Sequence, residues 1–320
     1  MFALRGIAVS FSIFILTYTV VSSIVMAIWR KVWLYGQRHS ARACADMLFA
    51  ARILPFVAAA LLTLAFGVPS FLLLEPRVVN ESLGAAPVAL GLVGLSVLLV
   101  GMWKGATALA QAWRTVDRWA RDAGRFASSD TCEGSISVRR ISGSAPPLTA
   151  AGIFRPSVWL SRAAEFVLSE RELQSALRHE VAHVRRRDNL RKLVLRLVAF
   201  PGMAALESAW REATEMAADD AAVSNASEAL DLAAAVIKLS RLASAEHPAA
   251  LTTALVHSSA SSLNARVERL IAWTEPQQDS APQYSVRYLL FAATAAVISL
   301  AVTYSELLVR VHTATEWLVR

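Results

Sequence analysis

The sequence has 320 residues, of which 55% are hydrophobic and only 18% are charged, and its formal net charge is +7. A composition this apolar excludes an ordinary soluble domain and indicates a membrane protein. The basic residues flank apolar segments and no nucleic-acid-reading motif accompanies them, so the positive charge indicates membrane anchoring and not direct binding to nucleic acid.

Three apolar runs near the N-terminus predict membrane-spanning helices at about 7–29, 53–74 and 86–103. The first run is followed by its charges, Arg30 and Lys31, instead of being preceded by them. We therefore interpret it as a retained helix and not as a cleaved signal peptide. A fourth span is predicted much later in the chain, at about 288–308. The lipid bilayer is thus an expected partner of a multi-pass chain.

The charges between these runs predict the orientation of the chain. Arg and Lys are frequent in the loop between the first and second runs and after the third run, but not between the second and third. The positive-inside rule then places the N-terminus outside and the basic segments in the cytoplasm. The predicted parts are a three-helix transmembrane region at 1–103, a cytoplasmic domain at 104–287, and a fourth transmembrane helix with a short extracytoplasmic tail at 288–320.

The cytoplasmic segment is predicted to begin with a helix that continues out of the third span over 104–126. The Ser-, Gly- and Pro-rich residues 127–150 predict a loop with a short strand at 136–141. Residues 153–160 predict an edge strand, because Pro156 lacks the amide that a central strand would need. This edge could pair with the extended backbone of a substrate, although an ordinary strand of a small sheet fits the residues equally well.

Helices are predicted for most of the remaining cytoplasmic segment, at about 170–190, 203–223 and 228–244. The first begins with a capping box, in which Ser169 and Glu172 each satisfy the other's backbone amide. Residues 193–206 are apolar but short, and we interpret them as a helix end or a membrane-skimming segment. The predicted fold class is mainly α, with multi-pass transmembrane helices and a cytoplasmic domain of helices plus a small β-sheet.

The first of these helices carries the sequence HEVAH at residues 179–183. A spacing of four places the imidazoles of His179 and His183 on one helix face, where two ring nitrogens can bind one Zn²⁺. Glu180 is offset from both and can accept a proton from a water molecule that the metal activates. Two histidines can also fall on a charged helix by chance, so a third ligand is needed to decide.

The next predicted helix supplies acidic side chains at a suitable spacing. Glu215 can be the third zinc ligand, and Asp219, one turn further along the same face, can fix the tautomer of a liganding imidazole. Glu212 is a rival ligand, but the position of Asp219 directly beneath Glu215 favours Glu215. Two His, one Glu and an open position form the pattern of catalytic zinc sites. A solvated acidic face is the alternative interpretation.

The order of these features resembles that of bacterial membrane zinc metallopeptidases of the beta-lactam-sensor and antirepressor type. The resemblance covers nearly the whole chain and rests on GIFRPSVWLS, HEVAHVRRRDNL, REATEMAADDAAV and, more weakly, SLNARVERLI, at residues 152–161, 179–190, 211–223 and 262–271. It implies a protein of the bacterial inner membrane with a gluzincin-like cytoplasmic domain. It also implies Zn²⁺ as cofactor, with ligands at His179, His183 and Glu215, a catalytic base at Glu180 and a supporting acid at Asp219.

The substrate class comes from the resemblance alone. It implies a protein or peptide substrate, such as a transcriptional repressor, another regulatory protein or the enzyme's own loop, cleaved during signal transduction. Ala218 stands where many members have a Cys before the supporting acid, which removes a thiol but no ligand. The sensors carry a penicillin-binding domain after the last span that this sequence does not show, so beta-lactam sensing by this chain alone is not expected.

Three alternatives stay open at this point. A CAAX-processing or quality-control membrane metallopeptidase would share the chemistry and differ in its substrate. A non-catalytic sensor or scaffold would bind metal or a partner without cutting anything, but Glu180 argues against it, since zinc binding does not require that carboxylate. A structural membrane protein with a chance motif would hold no stoichiometric zinc.

The basic cluster after the motif has an ordinary interpretation. Arg185, Arg186 and Arg187 are expected to face solvent or lipid headgroups, away from the metal. Asp188 is expected to pair with a neighbouring Arg and hold the end of the helix.

Two other residue types give weaker indications. His247 and His257 could stabilise an oxyanion, although surface positions are the more common role for such residues. Cys44 and Cys132 are far apart, form no metal-binding pair and are expected to stay reduced in the cytoplasm.

Overall fold

Long apolar helices make up the first part of the chain. The computed structural model describes residues 2–38, 40–76, 84–124, 131–133, 136–141, 146–242, 253–254, 260–273 and 303–315. In the first part, α1 is Phe2–Gly36, α2 is Ala41–Leu62, α3 is Val68–Leu74 and α4 is Ala85–Gly124, and a π-helical turn at Thr63–Gly67 joins α2 to α3.

Three helical stretches are long and apolar enough to cross a membrane, namely Phe2–Gly36, Ala41–Leu74 and Ala85–Asp122. The predicted spans at 7–29, 53–74 and 86–103 lie inside them, so the prediction of three membrane-spanning helices is confirmed in length and composition. The predicted fourth span at 288–308 lies mostly outside the described residues. Its last residues overlap a helix over 303–315, here α11.

The second part of the chain combines a small sheet with shorter helices. Its strands are β1 (Thr131–Glu133), β2 (Ile136–Ile141), β3 (Leu148–Ala151), β4 (Ser157–Ser161) and β5 (Thr253–Ala254). Its helices are α5 (Arg162–Val167), α6 (Glu170–Arg186), α7 (Asp188–Leu197), α8 (Ala204–Ala222), α9 (Ala226–Leu242) and α10 (Ala260–Ile271). The predicted mainly α fold with a small sheet is confirmed.

The described strands form one sheet in the order β1-β2-β4-β3-β5. Strand β4 pairs in parallel with β2 and antiparallel with β3, so it lies inside the sheet. The prediction of an edge strand at 153–160 is therefore wrong. The strand begins at Ser157, directly after Pro156, so the missing proline amide takes no place in the hydrogen-bond ladder. The strand predicted at 136–141 is confirmed, whereas β1 and β3 fall in the stretch predicted as loop.

Helix α6 begins and ends at well-defined backbone features. The predicted capping box is present: Ser169 accepts a hydrogen bond from the Glu172 amide, and Glu172 accepts one from the Ser169 amide. Arg187 has a left-handed backbone with φ of 55°, which ends α6 and turns the chain into α7. The prediction of one helix over 170–190 is thus wrong at its C-terminal end, because the break at Arg187 precedes Asp188.

The turn between α7 and α8 is attached to the apolar helices of the first part through the buried residue Val198. The Val198 carbonyl accepts hydrogen bonds from the Tyr18 hydroxyl at 2.7 Å and from Arg52 Nη1 at 2.9 Å. Arg52 is 1% exposed and also donates to Glu207 at the start of α8. Because a buried guanidinium needs acceptors, these contacts fix α8 to α1 and α2. Residues 193–206 are therefore a helix end, a turn and a helix start.

Helix α4 is 40 residues long and connects the apolar part to the sheet. Its second half packs on the sheet, where Trp119 lies against Trp159 with ring centroids 5.8 Å apart. Further back, α4 contacts α7 so closely that a Cβ at Gly101 would lie 2.2 Å from the Leu197 carbonyl oxygen. Glycine is required there because no side chain fits.

The main hydrophobic core lies between the sheet, α6 and α9, and includes Leu160, Val181 and Val236. A second cluster joins α1 and α2 to α8 and includes Val25, Leu48 and Trp210. The first cluster packs α6 on the sheet, and the second packs α8 on α1 and α2. Helices α6 and α8, which carry the candidate site, also contact each other.

Candidate metal centre

The two histidines of the HEVAH sequence lie side by side inside the protein. His179 is fully buried and His183 is 2% exposed. Their spacing of four residues on α6 places their Nε2 atoms 3.1 Å apart. Two ring nitrogens this close together can bind the same metal ion.

Glu215 on α8 completes the group. Its Oε2 lies 3.6 Å from His179 Nε2, and its Oε1 lies 3.6 Å from His183 Nε2. Among the described residues, His179, His183 and Glu215 are the group of potential ligands that could hold a metal ion, with ligand atoms within 4.8 Å of one another. The predicted rival, Glu212, is not part of this group.

Buried carboxylates orient both imidazoles. Asp219 Oδ1 lies 3.0 Å from His179 Nδ1, and Asp188 Oδ2 lies 2.8 Å from His183 Nδ1. A carboxylate at Nδ1 favours the tautomer in which Nδ1 carries the hydrogen, which leaves Nε2 with a free lone pair. Two such lone pairs and the Glu215 carboxylate then meet at one point. Three donor groups that converge in this way fit a cation, which would take the place of the proton that they hold in the metal-free protein.

Glu180 lies next to this point and is fully buried. One of its carboxylate oxygens accepts a 2.8 Å hydrogen bond from the Ala150 amide in β3. Burial raises the pKa of Glu180 above its ordinary value, while His183 and His179 act in the opposite direction. A carboxyl with a raised pKa is a stronger base when it is ionised, which suits a group that takes and returns a proton.

Asn189 on α7 holds β3 in place beside Glu180. Its side-chain amide donates to the carbonyls of Ala150 and Gly152, each at 3.1 Å. The Ala150 backbone is therefore fixed on both of its polar groups, the amide by Glu180 and the carbonyl by Asn189. Such a clamp limits the positions that the Glu180 carboxylate can take.

The electrostatics of the site are set by opposite charges in a dry environment. Burial disfavours a charge on His179, but the carboxylates of Asp219 and Glu215 outweigh it and raise the pKa of His179 to about 9. Burial likewise disfavours the ionised acids, yet the Arg266 guanidinium and the histidines hold the pKa values of Glu215 and Asp219 well below the ordinary range. Both acids are thus ionised at neutral pH.

The structure brings together all the predicted site residues, which are His179, Glu180, His183, Glu215 and Asp219. Asp188, Asn189 and Arg266 also belong to the site and were not predicted. The expected pairing of Asp188 with an Arg is present, since Arg186 Nε lies 3.7 Å from Asp188 Oδ1, but His183 is the closer partner at 2.8 Å. The left-handed turn at Arg187, which returns Asp188 to His183, leaves no clear signal in the sequence.

The three arginines after the HEVAH sequence differ in their exposure. Arg186 does not face solvent: its side chain is 9% exposed and lies between Asp46 and Asp188. Arg185 and Arg187 are exposed, as predicted. His247 and His257 lie outside the described residues. Cys44 is a buried free cysteine, and the side chain of Cys132 also lies outside the described part.

Comparison with known proteins agrees with this geometry. The family model described as BlaR1 peptidase M56 matches residues 88–270, which is more than half of the chain and includes every residue of the candidate centre. No curated protein matches the chain significantly. The family match confirms the resemblance inferred from the sequence motifs. The chain therefore belongs to the BlaR1 peptidase M56 family of membrane metallopeptidases.

Proposed function

We propose that the chain is an integral membrane zinc endopeptidase. The observation that carries this proposal is the convergence of the His179 and His183 Nε2 atoms and the Glu215 carboxylate on one point, with the Glu180 carboxylate beside it. Two imidazole nitrogens and one carboxylate are the donor set of catalytic zinc sites. The ligands are then His179, His183 and Glu215, with Asp219 and Asp188 as supporting acids.

Bound there, zinc would act as a Lewis acid on a water molecule and on the carbonyl of the scissile peptide. Glu180 accepts the proton that the attacking water loses and later delivers it to the leaving amine. The Ala150 amide and the burial of the site hold Glu180 in one orientation for both transfers. Asp188 and Asp219 keep the hydrogen on Nδ1 of each histidine, so that each Nε2 stays a donor atom.

The proposed location is the bacterial inner membrane, with the metal centre on the cytoplasmic side and the N-terminus outside. The distribution of Arg and Lys between the apolar runs supports this orientation. A reporter fused after residue 130 should report a cytoplasmic position. An exported reporter would invert the proposed topology.

The proposed substrate is a cytoplasmic regulatory protein such as a transcriptional repressor, or the chain itself, cleaved as part of signal transduction. Membership of the BlaR1 peptidase M56 family supports this class of substrate. CAAX-processing or protein quality control would use the same residues on other substrates. A non-catalytic sensor is disfavoured by Glu180, since nothing in metal binding requires a buried carboxylate clamped beside the ligands.

A pair of substitutions tests the proposal in the full-length chain. Glu180→Gln should retain stoichiometric zinc and lose cleavage of the chain or of a co-expressed partner, because Gln keeps the Ala150 contact but accepts no proton. His183→Ala should lose both zinc and cleavage. Cleavage by Glu180→Gln at the wild-type rate would contradict the peptidase mechanism, and purified wild-type chain without zinc would contradict the metal centre.

A further inference from the structure

Arg266 on α10 is a buried guanidinium in direct contact with the candidate centre. It is 2% exposed. Its Nε and Nη2 donate to the two carboxylate oxygens of Asp219 at 2.9 and 2.7 Å, and its Nη1 lies 3.0 Å from Glu215 Oε2. Each of its three nitrogens thus has a carboxylate partner on α8.

We propose that Arg266 is a positioning residue of the metal centre, which holds Glu215 and Asp219 in the arrangement that the metal requires. The proposal rests on the proposed function, because it assigns Glu215 as a ligand and Asp219 as the partner of His179. It adds to that function the requirement that α10 be docked on α8 before the ligand set is complete.

Glu215 and Asp219 cannot hold this arrangement by themselves. They lie one turn apart on the same face of α8, and two like charges so close in a buried site repel each other. The planar guanidinium offsets that repulsion: it fixes the direction of the Asp219 carboxylate through two hydrogen bonds and holds Glu215 through one ion-pair contact. Arg266 Nη1 lies 3.0 Å from Oε2 of Glu215, and Oε2 and Oε1 lie 3.6 Å from Nε2 of His179 and of His183, respectively, so the ion pair holds this carboxylate beside both ligand nitrogens.

Arg266 is not placed to touch a substrate. Its nitrogens are directed at the two carboxylates and its side chain is buried, so a role in binding a peptide or an oxyanion is excluded. Simple docking of α10 on α8 is the competing explanation. The same two helices carry a second ion pair, Arg269 with Asp220, which is partly exposed and does not contact the ligands. Arg269 is therefore a matched control for helix docking.

The test uses the full-length chain in detergent and compares Arg266→Lys, Arg266→Met and Arg269→Met. Zinc affinity is measured by competition with a chelator, the ligand geometry by the visible spectrum of the Co²⁺-loaded protein, and folding by the Tm of the metal-free protein. Arg266→Lys and Arg266→Met should bind zinc about 10- to 100-fold more weakly than wild type, as expected for a partner of metal ligands. Both should also change the Co²⁺ spectrum.

Arg269→Met should keep the wild-type zinc affinity and Co²⁺ spectrum. Should Arg266→Met fail to fold, Arg266→Lys, which keeps the charge and loses the planar fork, carries the comparison. Wild-type zinc affinity and a wild-type Co²⁺ spectrum in the folded Arg266 variants would overturn the role of Arg266 and leave the proposed function standing. Equal losses in Arg269→Met and Arg266→Lys would also overturn it, since helix docking would then explain both. A wild-type chain that binds no zinc would overturn the proposed function and the inference together.

Discussion

The Ala150 amide donates a 2.8 Å hydrogen bond to the Glu180 carboxylate, so strand β3 is attached directly to the group proposed to transfer the proton. The same strand residue is held from its other side by Asn189. The position of Glu180 thus depends on Asn189, a side chain outside the proposed ligand set.

Asn189→Ala should lower turnover while zinc binding is retained. The substitution removes two hydrogen bonds to the carbonyls of Ala150 and Gly152, which costs about 0.5–1.5 kcal/mol for each bond and loosens β3 beside Glu180. The measurement is kcat together with zinc content and Tm. Asn225→Ala is the control, because Asn225 caps α9 at an exposed position and its loss should lower Tm without changing kcat. Unchanged kcat in Asn189→Ala would show that β3 does not position Glu180.

Asp188→Asn should weaken zinc binding by about 10- to 100-fold. The Asn amide has no negative charge to hold the hydrogen on Nδ1 of His183, so the tautomer with a lone pair on Nε2 is less favoured. Chelator competition measures the change, and Asp219→Asn should behave alike. Asp117→Asn is the control: Asp117 pairs with Arg121 on an exposed face of α4, so wild-type affinity is expected. A full-affinity Asp188→Asn chain would remove Asp188 from the site.

In the metal-free chain, the ionisation of Glu180 should lower the free energy of unfolding in a pH-dependent way. Burial raises the pKa of Glu180 in the folded chain above its ordinary value of 4.5. Below pH 4.5 the group is protonated in both the folded and the unfolded chain, and above the raised pKa the folded chain is destabilised by a buried negative charge. Stability is therefore lost as the pH rises through this window. Glu180→Gln should have a higher Tm than wild type at neutral pH and an equal Tm at acid pH. A difference that is the same at both pH values would exclude ionisation of Glu180 as its cause.

The contacts of the Val198 carbonyl predict a graded loss of stability. Tyr18→Phe removes one hydrogen bond and should cost about 0.5–1.5 kcal/mol. Arg52→Ala removes the other hydrogen bond to this carbonyl, the contact with Glu207 and the packing of a buried side chain, so it should cost more, about 2–5 kcal/mol. Thermal unfolding in detergent measures both. Ser23→Ala removes only an exposed hydrogen bond within α1 and should leave Tm unchanged. Equal effects of all three substitutions would contradict the buried contacts.

Much of the site could be predicted because its residues follow helical periodicity. His179 and His183 share a face of α6, and Glu215 and Asp219 share a face of α8, so spacing alone placed each pair correctly. The three apolar helices were predictable for a different reason, since length and hydropathy determine which helices can cross a bilayer.

The unpredicted residues depend on geometry that periodicity does not contain. Asp188 reaches His183 only because Arg187 takes a left-handed conformation, which nothing in a run of arginines indicates. Arg266 lies 47 residues from Asp219 in sequence, and only the docking of α10 on α8 brings the two together. The edge-strand prediction includes Pro156 in the strand, whereas β4 begins after Pro156 and lies inside the sheet.

Helix α4 has a mechanical consequence. It runs unbroken over 40 residues, about 60 Å, from an apolar segment able to cross the bilayer to the face of the sheet that contains β3. No loop lies between these two ends to absorb a displacement. A shift of α4 along its axis would therefore act directly on the sheet, whose strand β3 donates the hydrogen bond to Glu180.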